Sequence, residues 1–516
     1  MSPRNGLQLW QRQQTWGLCL IVVVGALVLH VTYNIHFHRL SKYPGPAYAA
    51  VTDMVYCYVV ASGNILPWLE AQHKKYGHGV RIGPDRLSFI HHDAWKDIYS
   101  HRPGGKIKPN NKDPRFYDLN FNGHPSIVTE LDDTEHARVR RVFSHAFSDK
   151  ALKSQQGLLI KYVDQLVSNI QRDLAQNPDT IFDAVKLYNF TTFDIMGDLT
   201  FGESLSLLQT SSYSEWVKTV FASIRMVSMI TFFKEYRWLG KIFALIEPPF
   251  SRRAGEKHLA HSVERVNHRL EKRDREDHQP DIWTLVLQQP EGDRLLTPAQ
   301  MHANASIFML AGTETTATLL SGVTFFLLKN PDKMRLLVDE IRGAFASDDQ
   351  LTIEGLQKLK YLTACLEEGM RCYPPVPSPL FRVTPEEGNI ICGDRVPGNI
   401  RVSVAPLATF KSPLNFKDPE EFIPERWLPG SEYYYVDHRE AMQPFSVGPR
   451  NCLGQNLAYH EMRLILAKVL WNFDLSLCQE SENWQIQKCY MLWEKGPLLV
   501  EMKARRQDLR AGLVLD

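Results

Sequence analysis

Residues 13 to 38 contain no Lys, Arg, Asp or Glu, and their centre, WGLCLIVVVGALVLHVTY from Trp16 to Tyr33, is dense in Leu, Val and Ile. Such a run has to leave water. As a helix it is long enough to cross a hydrocarbon core of about 30 Å. Trp16 and Tyr33 mark its ends, where amphipathic rings favour the membrane interface. A cleaved leader would carry a shorter apolar region closed by small residues, whereas this one closes on His and Tyr. The run therefore predicts an uncleaved anchor over residues 1–42, spanning about 16–33, and leaves 43–516 to fold as one unit. Arg4 and Arg12 before the span balance Arg39 and Lys42 after it, so the charge rule sets no orientation. Tyr43-Pro44-Gly45-Pro46 follows as a stiff elbow, since proline fixes φ and glycine permits a sharp turn.

The remainder has an ordinary globular composition. The 59 basic and 58 acidic residues leave a net charge of +1, which argues against nucleic acid as the main partner. The eight cysteines (Cys19, Cys57, Cys365, Cys372, Cys392, Cys452, Cys478 and Cys489) are sparse and form neither C-x-x-C nor a zinc-finger spacing. That pattern fits a reducing compartment and places the bulk of the chain in the cytosol. Helical patterns run over Asp133–Phe147, Ser251–Arg273, Met301–Lys329, Asp332–Phe345, Ile353–Tyr373 and Tyr459–Phe473, the last beginning its regular pattern near Leu457. Strand-like runs are short: Val80–Gly83, Ser88–Ile90 and pieces between Phe381 and Val404. The expected fold is mainly α with small β-sheets, without an internal repeat or a domain boundary after Pro46. Two glycosylation sequons, at Asn189 and Asn304, fall in helix-like stretches and are discounted.

FSVGPRNCLG, from Phe445 to Gly454, has too many turn formers for a helix or strand interior. Its cysteine precedes a helix, so backbone N–H groups can steady an anionic sulfur there. Gly448 and Gly454 let the backbone bend and come close to a flat partner. Arg450 offers a planar fork suited to a carboxylate. One sulfur ligand, one arginine and a close backbone approach describe a proximal haem pocket; the plain competitor is a buried structural cysteine. Phe445, Gly448, Arg450, Cys452 and Gly454 match F-x-x-G-x-R-x-C-x-G at every fixed position, and in this the chain resembles the cytochrome P-450 family.

Other stretches agree with that resemblance in type and order. AGTETT, Ala311 to Thr316, puts an acid–hydroxyl pair beside a glycine inside an apolar helix, where Thr315 can bond the carbonyl of residue 311. It resembles the family's distal-helix element, which implies Glu314 and Thr315 as the pair that relays protons. Helical spacing sets Phe308, Ala311, Thr315 and Leu319 on one face, toward a substrate. Glu368 and Arg371 are three apart on a helix and can meet. With FIPERW, Phe422 to Trp427, they resemble the E-x-x-R and P-E-R elements, which implies a buried structural triad of Glu368, Arg371 and Arg426. In EHARVRRVFSHAFS, His136 and Arg140 resemble the pair that bonds a haem propionate, with His136 where many members carry Trp. Arg382, in PLFRVTP, resembles the strand arginine that reaches the other propionate.

The resemblance covers the chain from about Pro44 to its end. It implies a cytochrome P-450 fold holding haem b (iron protoporphyrin IX), with Cys452 as axial ligand of the iron and NADPH acting indirectly through a reductase. The implied reaction is insertion of one oxygen atom from O2 into an apolar small molecule, by hydroxylation or epoxidation. The runner-up is a haem-thiolate isomerase or dehydratase that needs no reductase. Implied partners are NADPH-cytochrome P-450 reductase, cytochrome b5 and membrane lipid, at a single-pass site in the endoplasmic reticulum membrane with the catalytic domain cytosolic. Arg138, Arg141, Lys150 and Lys153 are candidates for the face that docks an acidic electron donor. Pocket residues are expected from Arg115–Phe121, Pro377–Leu380 and Tyr490–Trp493, and a second membrane contact from Met226–Phe250. HARVRRVFSHAFSDKAL and MLWEKGPL look most like filamentous-fungal members that act on terpenoid or polyketide toxin intermediates.

Overall fold

The computed structural model describes residues 3–100, 108–117, 123–214, 217, 235, 249–271, 281–288 and 296–505, with side chains from Gln14 onward and not at 249–259. The larger helices are α1 (Pro3–Thr32), α2 (Ile65–Tyr76), α3 (Asp93–Tyr99), α4 (Asp133–Ser144), α5 (Gln156–Gln176), α6 (Ala184–Phe201), α7 (Pro249–Glu271), α8 (Pro298–Lys329), α9 (Pro331–Ala344), α10 (Lys360–Cys372) and α11 (Gln455–Asn472). The strands are β1 (Gly79–Gly83), β2 (Arg86–Phe89), β3 (Asn111–Lys112), β4 (Ile181–Asp183), β5 (Arg382–Val383), β6 (Asn389–Ile391), β7 (Asp394–Val396), β8 (Arg401–Val404), β9 (Phe473–Leu477), β10 (Cys489–Tyr490), β11 (Leu492–Trp493) and β12 (Leu499–Ala504). Helices dominate and the sheets are small, as the sequence pattern requires.

The main sheet has the order β1-β2-β8-β5-β3, with β2 and β8 parallel and the other pairs antiparallel. A second sheet has the order β4-β12-β9, and β6–β7 and β10–β11 form two-stranded ribbons. The last strand thus closes against one that precedes α6, which ties the end of the fold to its middle.

Helix limits follow local chemistry. Thr297 caps α8 by accepting from Gln300 N–H, the Gln300 side chain answers at the Thr297 N–H, and Pro298 occupies the first turn, where a missing N–H is no loss. The helix therefore starts three residues before the expected Met301. Asp132 caps α4 through Glu135 N–H, and that helix stops at Ser144, short of Phe147. The run expected as one helix from Ile353 to Tyr373 is two. Thr352 caps a single turn ending at Leu356, and Leu359 is extended before α10 begins. Helix α8 lies directly on α6: a Cβ on Gly312 would meet the Met196 sulfur at 2.6 Å. That contact explains the glycine in AGTETT without any need for a distorted helix.

At the amino terminus, α1 begins well before Trp16 and runs into a π-turn at Tyr33–Phe37. Gln14–Phe37 is long and apolar enough to cross a membrane, and nearly all of it is exposed. Arg81 on β1 clasps the base of this helix. It donates to the carbonyls of Asn34 at 2.7 Å and Pro84 at 2.8 Å, and to His38 Nδ1 at 3.0 Å. Arg39 donates to the Gly398 carbonyl at 2.7 Å. The Pro44–Pro46 elbow comes so close that a Cβ on Gly45 would lie 2.2 Å from the Arg81 carbonyl. The apolar stretch Met226–Phe250 lies almost wholly outside the described residues.

Candidate active site

Cys452 sits in a loop just before α11, whose first residue is Gln455, two residues earlier than Leu457. Its N–H donates to the Phe445 carbonyl at 2.8 Å, which closes the loop on itself. Gly448 stands at φ +79°, and a Cβ there would lie 2.3 Å from the Tyr99 carbonyl, so only glycine fits. Gly454 is different. Its φ of −86° is ordinary, so it does not bend the chain as expected. No atom lies within 4 Å of a Cβ placed on it, which leaves clear space above the loop. Cys452 is exposed to that space and bonded to no other cysteine. The protein around the hollow still pushes the thiol up, opposed by the Gly454 N–H and by Arg140.

Beside the loop is a group of basic side chains that, among the described residues, have no ion-paired carboxylate. β3 pairs with β5 so that Lys112 stands directly opposite Arg382, and both are buried. Like charges facing each other across a strand pair repel. Lys112 Nζ reaches only the Val128 carbonyl, at 2.5 Å, and the Tyr117 ring, at 4.7 Å. Arg382 lies over the Tyr99 ring at 5.6 Å, and its buried Nε has no partner. His136 is buried next to them. Burial, helped by Arg450 and Arg382, drives the Lys112 pKa down to about 6. Burial, helped by Arg450, Lys112 and Arg140, drives His136 down to about 3. Among the described residues no carboxylate forms an ion pair with Lys112, Arg382 or Arg140. A flat group with a metal at its centre and two carboxylates at its edge fits this arrangement: sulfur and open space at one end, unanswered positive charge at the other.

Two arginines expected at propionates have protein partners. Arg140 donates to Asn451, at 2.7 Å to its carbonyl and 2.6 Å to Oδ1, and so holds the residue before the cysteine. Arg450 is bound to Asp133, at 2.6 and 3.1 Å, and to the carbonyls of Glu130 and Leu131. Its fork is occupied by the first turn of α4 and is not free as the sequence suggested.

Thr315 Oγ1 donates to the Ala311 carbonyl at 2.6 Å; Ala311 is exposed and Thr315 partly so. Phe308 and Leu319 do not share that face. Phe308 packs on Phe143 and Phe147, with ring centroids 4.9 and 5.4 Å away, and Leu319 is in the core. Glu314 is buried and forms an ion pair with Lys495, which also donates to Thr318 Oγ1. Glu314 Oε2 has no partner. The acid and the alcohol thus point different ways. Lys495 was missed because it lies 181 residues on, in the stretch between β11 and β12. Lys112 was missed because a lone lysine in NNKDP looks like surface; only the register with Arg382 gives it meaning.

The structure brings Glu368, Arg371 and Arg426 together, all without solvent exposure. Arg371 grips Glu368 at 2.8 and 2.9 Å, and Arg426 meets it at 3.0 Å. The remaining guanidinium protons go to the carbonyls of Phe410, Pro419, Glu421, Lys417 and Asp418, to Cys372 Sγ and to Asp437. Ile423 N–H and Trp427 Nε1 complete the carboxylate. Burial works against ionisation of Glu368, but the two arginines hold it below its ordinary range. Nearby, Glu461 on α11 is pushed up to about 8 by burial, against a hydrogen bond from Thr316.

An open cysteine loop at the head of one helix, opposed by a long helix with an acid and an alcohol, defines the haem-thiolate class of proteins. The model of the family described as Cytochrome P-450 matches residues 55–502. The cytochrome P-450 monooxygenase FUM2 of Gibberella moniliformis (strain M3125 / FGSC 7600) is 56% identical over 484 residues, covering 92% of this chain and all of that protein. The monooxygenase AMT3 of Alternaria alternata is 47% identical, over 92% of this chain and 96% of its own length. The monooxygenase efuB of Hormonema carpetanum is 45% identical, over 92% and 94%. The chain belongs to the cytochrome P-450 family, whose cofactor is haem, and is a monooxygenase.

Proposed function

We propose that the protein inserts one oxygen atom from O2 into an apolar terpenoid or polyketide intermediate of a fungal secondary metabolite or mycotoxin, by hydroxylation or epoxidation. The observation that carries this reading is the open cysteine loop set beside unanswered buried cations. Cys452 would be the axial thiolate, with Phe445, Gly448 and Gly454 shaping the floor. Lys112, His136 and Arg382 would take the two propionates, flanked by Arg140 and Arg450. When bound, haem with a thiolate ligand supplies cleavage of the O–O bond. This chain's part is to place the substrate, exclude water and move protons. Thr315 Oγ1 holds a proton at the open face of α8, and Glu314 Oε2 is the oxygen free to take one.

Electrons would come from NADPH through a reductase, with cytochrome b5 as a second donor. Arg141 and Lys150 are exposed and available to an acidic partner, while Arg138 is bonded to Glu135 and Lys153 to Asp149. The apolar helix supports a site on the endoplasmic reticulum membrane with the domain in the cytosol. The fungal sources of the similar monooxygenases support the metabolite class. The test is a reduced, carbon-monoxide difference spectrum of the purified protein. A strongly red-shifted Soret band that is lost in Cys452→Ala is the expected result. Folded, haem-loaded protein without that band refutes the reading.

A further inference from the structure

On the outside of the domain, at the start of α3, four imidazoles stand in a row. His78 meets His91 edge-on at 5.8 Å, His91 stacks on His92 at 4.1 Å, and His92 stacks on His438 at 4.2 Å. Two carboxylates flank the row. Asp93 Oδ1 and Glu440 Oε1 lie 3.8 and 3.9 Å from His92 Nε2, and Glu440 Oε1 lies 3.2 Å from His438 Nδ1. Among the described residues these carboxylates have no ion-pair partner but the histidines. Arg439, next in sequence, is turned away, with its guanidinium 3.5 Å from the centre of the Tyr434 ring.

His92 is the group left unexplained. Its Nδ1 is buried without a partner, and its Nε2 is too far from either carboxylate for a hydrogen bond. Two ligands on one tetrahedral cation with bonds of 2.0–2.2 Å are roughly 3.3 Å apart. The 3.2 and 3.9 Å separations around Glu440 are close to that value. The ring nitrogens of His92 and His438 and the Glu440 carboxylate lie within 4.8 Å of one another. The rings are stacked within 10° of parallel, so binding needs one imidazole to turn about its χ2. His438 is about half exposed, and turning it would exchange its 3.2 Å hydrogen bond to Glu440 Oε1 and its stacking on His92 for the metal bond. The two segments are already fastened together, because Trp95 Nε1 donates to the Ala441 carbonyl at 2.8 Å.

We propose that His92, His438 and Glu440 form a binding site for a borderline transition-metal dication, zinc above all, with Asp93 or water as fourth ligand. Imidazole with carboxylate suits zinc, copper or nickel and not magnesium or calcium. A cation there would staple α3 to the segment that leads into the cysteine loop. It would stabilise the fold by binding the native state alone.

The test uses tag-free, full-length, haem-loaded protein in detergent, stripped with a chelator. Zinc is titrated in competition with a chromophoric chelator, and Tm is measured with and without excess zinc. The wild type is compared with His92→Asn/His438→Asn and with Glu440→Gln, whose exposed position keeps the test available if the double variant folds poorly. The haem spectrum reports that each variant is intact. The expected result is one more equivalent of zinc on the wild type than on either variant, and a zinc-dependent rise in Tm in the wild type alone. Equal stoichiometry in wild type and Glu440→Gln, or a wild-type Tm that zinc does not move, overturns the proposal.

Discussion

Two buried groups of charge in this molecule are alike in depth and opposite in accounting. Around Glu368 the polar groups are answered: two arginines, Ile423 N–H and Trp427 Nε1 enclose the carboxylate, and further carbonyls and Asp437 take the arginines' other protons. Around Lys112 and Arg382, among the described residues, no carboxylate forms an ion pair, and the strand register sets the two side chains opposite each other. A completed group supports the fold by itself. An incomplete one costs stability until something arrives to complete it. The difference separates structural charge from binding charge more sharply than burial does.

Arg371→Met attacks the completed group. It strands Glu368 in the core and is expected to cost about 3–5 kcal/mol, seen as loss of soluble, haem-loaded protein in a denaturation series. Lys112→Met should act in the opposite direction on the empty protein. Removing an unanswered cation is expected to stabilise the apo form by roughly 1–3 kcal/mol in urea and, at the same time, to speed haem loss to a globin scavenger. If Lys112→Met destabilises the apo protein, the contrast fails. Glu461 gives a case with a definite pH sign. Its folded pKa of about 8 lies above the ordinary glutamate value of 4.5, so the unfolded chain gives up this proton first as pH rises. Stability should fall as pH rises from 4.5 to 8. Glu461→Gln should remove that slope, worth a total of roughly 3–5 kcal/mol in pH-resolved melts. Glu368 has the reverse sign and smaller reach. Its lowered pKa contributes stability that is lost only as pH falls below the ordinary glutamate value of 4.5, measurable as the acid limb of the same melts.

Much of the architecture was legible before any coordinates. The anchor, the helical majority and the cysteine loop rest on periodicity, turn formers and spacing, all of which are local. Thr315 bonding Ala311 was legible for the same reason. What escaped depended on register and on distance along the chain. Lys112 acquires its role only from standing opposite Arg382, and Glu314 finds Lys495 far away. Arg450 was expected at a haem carboxylate, and in the structure its fork meets Asp133. Phe308 shares a helical face with Thr315 in projection, yet Phe143 and Phe147 claim it, since packing partners and not periodicity decide what a helix face meets.

The clasp at the base of α1 has a mechanical meaning. Arg81 belongs to the main sheet, and its bonds to Asn34 and His38 reach past the elbow into the last turn of the anchor. The anchor is a bracket, not a tether. With α1 in a bilayer, the domain has one tilt and one height, and the same side of it faces the lipid on every molecule.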